Sequence, residues 1–126
     1  MTQTERIRIK RAYESPERGD GVRILVDRLW PRGLRNEAHF DQWRKDLSPS
    51  TSLRKFYGHR PERLAEFAKR YRSELRRKDA VLGMRQIIEL AERRPVTLLT
   101  ASRDLAHSEV AVLAQRLRAL SKRATP

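Results

Sequence analysis

Two short apolar runs constrain the fold of this chain more than any other feature. Residues 22–27 read Val-Arg-Ile-Leu-Val-Asp and residues 96–100 read Val-Thr-Leu-Leu-Thr. Both have the apolar, β-branched composition of buried strands. The long segment between them carries helical patterns. Because a strand, a helical crossover and a further strand usually form parallel neighbours, the sequence predicts an α/β fold with these two strands in parallel.

The remaining patterns predict a single small domain. Residues 6–13 alternate polar and apolar side chains, which predicts another strand that pairs antiparallel or lies at an edge of the sheet. The predicted helices begin near Asn36 (with Phe40, Trp43 and Leu47 on one face), Ser50 or Thr51, Pro61 and Asp79, and a last one carries Val110, Leu113, Leu117 and Leu120. The 126 residues thus give about three strands and four to five helices, with a tail that frays from about residue 121.

Polar side chains concentrate in the loops that follow the two parallel strands. In open α/β sheets, sites form outside the carboxyl ends of the strands, so loops 27–33 and 100–107 are predicted to converge. The first loop supplies Asp27, Arg28, Trp30, Arg32 and Gly33, and the second supplies Ser102, Arg103, Asp104 and His107.

These residue types favour a site for an anionic molecule such as a nucleotide or a phosphorylated metabolite. Arginine forks at positions 28, 32 and 103 suit phosphate or carboxylate groups, and Trp30 can stack on a ring. Asp27, Asp104 and His107 are candidates for acid–base chemistry. A structural interpretation stays open beside this one, in which Asp27 pairs with an arginine, Trp30 fills the core and Ser102 or Asp104 caps a helix.

Several residue types and motifs that the sequence lacks limit the chemistry that the protein can perform. The chain has no cysteine, which excludes disulfides, thiolate catalysis and Cys-ligated zinc. The three histidines, His39, His59 and His107, lack the spacing of a metal site, so no metal is predicted. No phosphate-loop or dinucleotide-binding motif occurs. The sequence assigns neither a cofactor nor a reaction type, and it leaves open whether the protein is an enzyme.

The formal net charge of +13 supports an alternative function, because such a surface attracts nucleic acid. The basic residues are spread along the chain, and those of the third predicted helix flank its apolar stripe, which favours a solvated structural helix. The N-terminus lacks the apolar core of a signal peptide, and no apolar stretch is long enough for a membrane span. We therefore expect a cytoplasmic protein without a membrane partner.

The run Arg-Ile-Leu-Val-Asp-Arg-Leu-Trp-Pro-Arg-Gly at residues 23–33 closely resembles the signature of the YeaO-like bacterial proteins, a domain family of unknown function. The resemblance continues through residues 43–50, 53–59, 67–71 and 96–104 and includes His107. It implies a small α/β domain and no established activity. In more distant relatives a cysteine-containing segment follows the last strand. Residues 100–102 are Thr-Ala-Ser here, so the resemblance transfers no thiol mechanism.

Overall fold

A computed structural model describes residues 6–34 and 40–124 and contains one parallel sheet. Its strands are β1 (Ile7–Arg11), β2 (Val22–Leu25), β3 (Gln42–Trp43) and β4 (Val96–Thr100). Their order in the sheet is β1-β4-β2-β3, and every neighbouring pair is parallel. The last strand in the chain therefore lies in the interior of the sheet.

Four helices pack against one face of this sheet. They are α1 (Thr51–Tyr57), α2 (Leu64–Glu74), α3 (Lys78–Arg93) and α4 (Glu109–Ala124). Their apolar side chains form one core with alternate strand residues, such as Ile7, Ile24 and Leu98. The opposite face carries a smaller apolar cluster, formed by Ala12, Leu25 and Leu99 with Leu34, Phe40 and Trp43 against it. Loops rather than helices cover that second face.

The structure confirms the α/β class and the parallel pairing of the two apolar strands. Residues 24–26 are fully buried, as their continuous apolar run predicts. Ser50 caps α1 by accepting a hydrogen bond from the Leu53 amide at 3.2 Å, and Gly58 ends the helix with a φ of 51°. β1 lies at an edge of the sheet and pairs in parallel with β4.

The helix predicted over Phe40, Trp43 and Leu47 is wrong. Gln42–Trp43 is instead strand β3, which raises the strand count to four, and Leu47 closes a single 3-10 turn. The predicted cap, Asn36, lies outside the described residues. Tertiary contacts decide this segment: Trp43 pairs with Leu25 in the sheet, and its ring Nε1 donates to the Asp27 carbonyl at 2.6 Å.

Two helix starts differ in detail from the prediction. Arg77 is the residue before α3, so Asp79 lies inside the first turn and does not cap the helix. Pro61 opens one 3-10 turn before α2 begins. The last helix, α4, extends to Ala124. In residues 6–34 and 40–124 there is no helix whose length and hydropathy would allow it to cross a membrane.

A polar cluster occupies the face of the sheet that lacks helices; we call it the Asp20 cluster. Both carboxylate oxygens of Asp20 accept from Lys10 Nζ, at 3.1 and 3.2 Å. Arg23 Nη1 lies 2.5 Å from one of them, and the Glu17 amide donates at 3.0 Å. Thr97 Oγ1 donates to the Asp20 carbonyl. These bonds tie the connection between β1 and β2 to three of the strands.

Candidate functional site

An open cleft of about 980 Å³ lies at the carboxyl ends of β2 and β4. One wall is the loop after β2, a second is the loop after β4, and the third is formed by α1 and the residues that follow it. The cleft is lined by residues 27–32, Thr51, Arg54, Lys55, Tyr57, His59, Phe67, residues 100–104, Ser108 and Glu109. The two loops predicted to carry the site therefore face the same cavity.

Asp27 and Thr100 join the two strands at the floor of the cleft. The Thr100 hydroxyl oxygen lies 2.8 Å from Oδ1 of Asp27, and the Ala101 amide donates to Oδ2 at 2.8 Å. The Ser102 amide donates in turn to the Thr100 hydroxyl at 3.2 Å. The Asp27 side chain thus fixes the first residues of the loop after β4, and it is not paired with Arg32 or Arg28.

Glu109, the first residue of α4, brings a second carboxyl group to this floor. Its Oε1 lies 3.2 Å from the Thr100 hydroxyl, which also bonds Asp27. Burial of the carboxyl group and the adjacent Asp27 raise the pKa of Glu109 well above its ordinary value. Glu109 therefore ionises less readily than an exposed glutamic acid.

Cationic side chains surround this acidic floor. They come from all three walls and are Arg28, Arg32, Arg54, Lys55 and Arg103. Arg28 is anchored, because its Nε donates to the Pro49 carbonyl at 3.1 Å. Within the described part of the chain, no hydrogen bond or ion pair engages the other four side chains. The charges of Arg32, Lys55 and Arg103 are consequently available to a molecule that enters the cleft, whereas that of Arg54 also acts on Glu109.

Trp30 both packs against the protein and lines the cleft. Its ring contacts Phe40 and Trp43 at centroid distances of 5.3 and 5.4 Å, and its Nε1 donates to the Leu34 carbonyl at 2.9 Å. It nevertheless remains 38% exposed, and the neighbouring Leu29 is 63% exposed. The predicted structural and ligand-facing roles of Trp30 are compatible in this arrangement.

Two of the predicted site residues do not line the cleft. Gly33 forms a turn with a φ of 76°, a conformation that favours glycine, and faces open space. The ring of His107 is bonded to the Asp104 carboxylate at 2.6 Å, and this hydrogen bond lowers the pKa of Asp104. The His107 carbonyl accepts from the Tyr57 hydroxyl at 2.6 Å. The other predicted residues do line it: Asp27, Arg28, Trp30, Arg32, Ser102, Arg103 and Asp104.

Three residues of the cleft are not predicted from the sequence, namely Arg54, Lys55 and Glu109. The two cations stand on α1, and no local signal indicates which side of that helix faces the loops. Glu109 is separated from Asp27 by most of the chain. The predicted start of the last helix near the convergent loops was the only available indication that its first residues would reach the site.

No group of three or more metal-ligating side chains occurs in the described ranges, 6–34 and 40–124.

Comparisons with known proteins identify relatives over nearly the whole chain. A family model described as the inactive DUF488-N3 subclade matches residues 6–125. The uncharacterized protein Mb3100c of Mycobacterium bovis is 45% identical over 118 residues, which cover 93% of this chain and 98% of that protein. The uncharacterized protein YeaO of Escherichia coli is 37% identical over 115 residues, covering 90% and 98%. No solved structure matches the chain.

Proposed function

The chain belongs to the inactive DUF488-N3 subclade, and from this membership together with the cleft we propose that the protein binds an anionic small molecule, a nucleotide or another phosphorylated compound. The description of the subclade as inactive favours binding over catalysis. So does the chemistry of the second loop, where residues 100–102 supply two hydroxyls and no thiol.

The observation that carries this proposal is the convergence of five cationic side chains from three chain segments on one cavity. Three carboxyl groups of the cleft oppose this positive charge. Asp104 already bonds His107, and Asp27 and Glu109 form the pair on the floor. The surplus of positive charge in a concave, partly desolvated space favours an anion. Unengaged guanidinium groups suit the oxygens of phosphate in particular.

The wall formed by Leu29, Trp30 and Pro31 supports a ligand that also has a flat apolar part. A ring stacked on the exposed part of Trp30 would gain contact area while its phosphate meets Arg32 or Arg103. A nucleotide combines both groups, whereas inorganic phosphate offers only one. A cavity of about 980 Å³ has room for a molecule of that size.

Isothermal titration calorimetry with ADP and with inorganic pyrophosphate tests the proposal. Removing one cleft arginine, in Arg32→Ala or Arg103→Ala, should weaken ADP binding by about 2–5 kcal/mol. Arg85→Ala is the matched control, because it removes the same charge from an exposed position on α3 away from the cleft. Equal losses in all three variants would show that only the overall charge matters. Absence of binding at millimolar ligand would refute a site for either compound.

The aromatic wall has a separate test. Trp30→Leu should weaken ADP binding and leave the affinity for pyrophosphate nearly unchanged, since only ADP carries a ring. Both tryptophans of the chain are in contact, so ADP should also change the intrinsic fluorescence of the unaltered protein. Equal losses for both ligands would show that Trp30 supports the loop rather than the ring.

Nucleic-acid binding remains the second candidate because of the net charge of +13. It makes a different prediction for the same protein. A single-stranded oligonucleotide should then bind more tightly than ADP, and its affinity should fall steeply and linearly on a log–log plot against salt. If the oligonucleotide binds no more tightly than ADP, and if its affinity depends only weakly on salt, the small-molecule site is favoured.

A further inference from the structure

Glu109 is the least expected component of the cleft floor, because an anion site gains nothing directly from a second carboxyl group. Yet Glu109 does not face the cleft alone. It contacts Asp27 and Thr100, the two side chains that join the ends of β2 and β4. Its position points to an indirect role in shaping the loop after β4.

The hydrogen count at this junction favours a proton on Glu109. Two carboxyl oxygens lie within hydrogen-bond distance of the Thr100 hydroxyl, Asp27 Oδ1 at 2.8 Å and Glu109 Oε1 at 3.2 Å. The hydroxyl supplies one hydrogen, and ionised carboxylates supply none. A proton on Glu109 supplies a second hydrogen, and the hydroxyl oxygen can still accept from the Ser102 amide.

We propose that Glu109 is a positioning residue of the anion site: in its protonated form it bonds the Thr100 hydroxyl and so holds residues 101–103 in the arrangement that receives the anion. This inference rests on the proposed function. When Glu109 loses its proton, its negative charge repels that of the adjacent Asp27 beneath the loop and also repels an incoming anion. Anion binding therefore weakens as the pH rises.

The groups around Glu109 determine the pH at which its carboxyl group loses the proton. Burial and Asp27 favour the protonated form, whereas the contact with Thr100 and the positive charge of Arg54 on α1 favour the ionised form. From α2 the Tyr71 hydroxyl faces the same region and stays protonated, because burial raises its pKa well above the ordinary value. The raised pKa of Glu109 places the loss of the proton above the usual range of a carboxylic acid.

Sulfate is a suitable probe, since its charge is constant from about pH 5 to about pH 9. Sulfate affinity of the unaltered protein should fall about tenfold over that range. Glu109→Ala should bind weakly throughout. Glu109→Gln resembles the protonated acid, so it should restore much of that affinity and show no dependence on pH.

A second cleft residue provides the control for the pH profile. Histidines change charge in this same range, and His59 lines the cleft. His59→Gln should keep the pH dependence if Glu109 causes it. A profile that persists in Glu109→Gln and disappears in His59→Gln would overturn the proposal.

A measurement without ligand separates the two proposals. The carbon-13 resonance of the Glu109 carboxyl group should titrate above the ordinary range of a glutamic acid, and the Ala101 and Ser102 amide signals should shift with it. Titration of Glu109 at an ordinary pH would refute the positioning role even if sulfate binds. Elevated titration without sulfate binding would instead show that the proposed function fails, and the positioning role with it.

Discussion

Replacing Asp20 with Asn should destabilise the protein strongly, because its carboxylate neutralises two cations beneath the loop between β1 and β2. Arg23 Nη1 lies 2.5 Å and Lys10 Nζ 3.1 Å from its oxygens. The side chains of Arg23 and Asp20 are only 6% and 5% exposed, so water compensates little for a lost charge. An Asn side chain preserves the shape and removes the counter-ion.

The size of this effect follows from the burial of the pair. Removing one partner of a buried ion pair costs about 3–5 kcal/mol, out of a total of about 5–15 kcal/mol for a domain. With a urea dependence of about 1–3 kcal/mol per molar, the denaturation midpoint should fall by about 2 M. Circular dichroism at increasing urea measures it. The control is Glu17→Gln, which also loses a contact to Lys10 but at a side chain 75% exposed, and should cost about 0.5 kcal/mol or less.

The stability difference between the unaltered protein and the Asp20→Asn variant should also depend on pH, and this dependence tests the reasoning. Burial opposes ionisation of Asp20, but the Glu17 amide, Lys10 and Arg23 outweigh it and lower the pKa of the carboxyl group. A carboxylate with a lowered folded-state pKa stabilises the fold above its unfolded pKa of about 4, and this contribution disappears as the pH falls through the folded value. The difference between the two proteins should therefore shrink in acid. A difference below about 1 kcal/mol at neutral pH, or one unchanged in acid, would refute the reasoning.

Three further substitutions test other contacts by the same denaturation assay. Gly21→Ala should cost more than about 2 kcal/mol, because φ is 64° and an added Cβ would lie 2.0 Å from the Pro95 carbonyl oxygen; a neutral result would mean that this turn can shift. Tyr71→Phe should cost about 1–3 kcal/mol by leaving the buried Leu47 carbonyl without its donor, and no loss would indicate that water replaces the hydroxyl. Thr100→Val should cost a similar amount, because it removes the hydroxyl shared by the floor of the cleft; unchanged stability would argue against that junction.

The parts of the fold that local sequence determines were predictable. β4 matches its prediction because five consecutive buried residues bounded by Pro95 leave little choice of structure. α1 matches because Ser50 and Gly58 supply both ends of the helix. β3 was not predictable, since a strand of two residues has no alternation, and it exists only because β2 lies beside it.

The candidate site likewise has one part that could be predicted from the sequence and one part that could not. Loops 27–33 and 100–107 could be paired in advance, because parallel strands place their carboxyl ends together. The geometry within the cleft could not. The bond between Asp27 and the Ala101 amide, and the approach of Glu109 to both, depend on how α4 packs after its turn, which no spacing in the sequence encodes.

The order of the strands also affects how the protein is made. β4 follows the other three described strands in the chain, yet it separates β1 from β2 in the finished sheet. Until residue 100 has left the ribosome, β1 lacks a partner, and β2 has only the two residues of β3. Sheet assembly must therefore wait until residues 96–100 are available, and it depends on contacts distant in sequence, which slow folding. During that interval the apolar run at residues 24–26 is exposed, so newly made chains are the form of this protein most prone to aggregate.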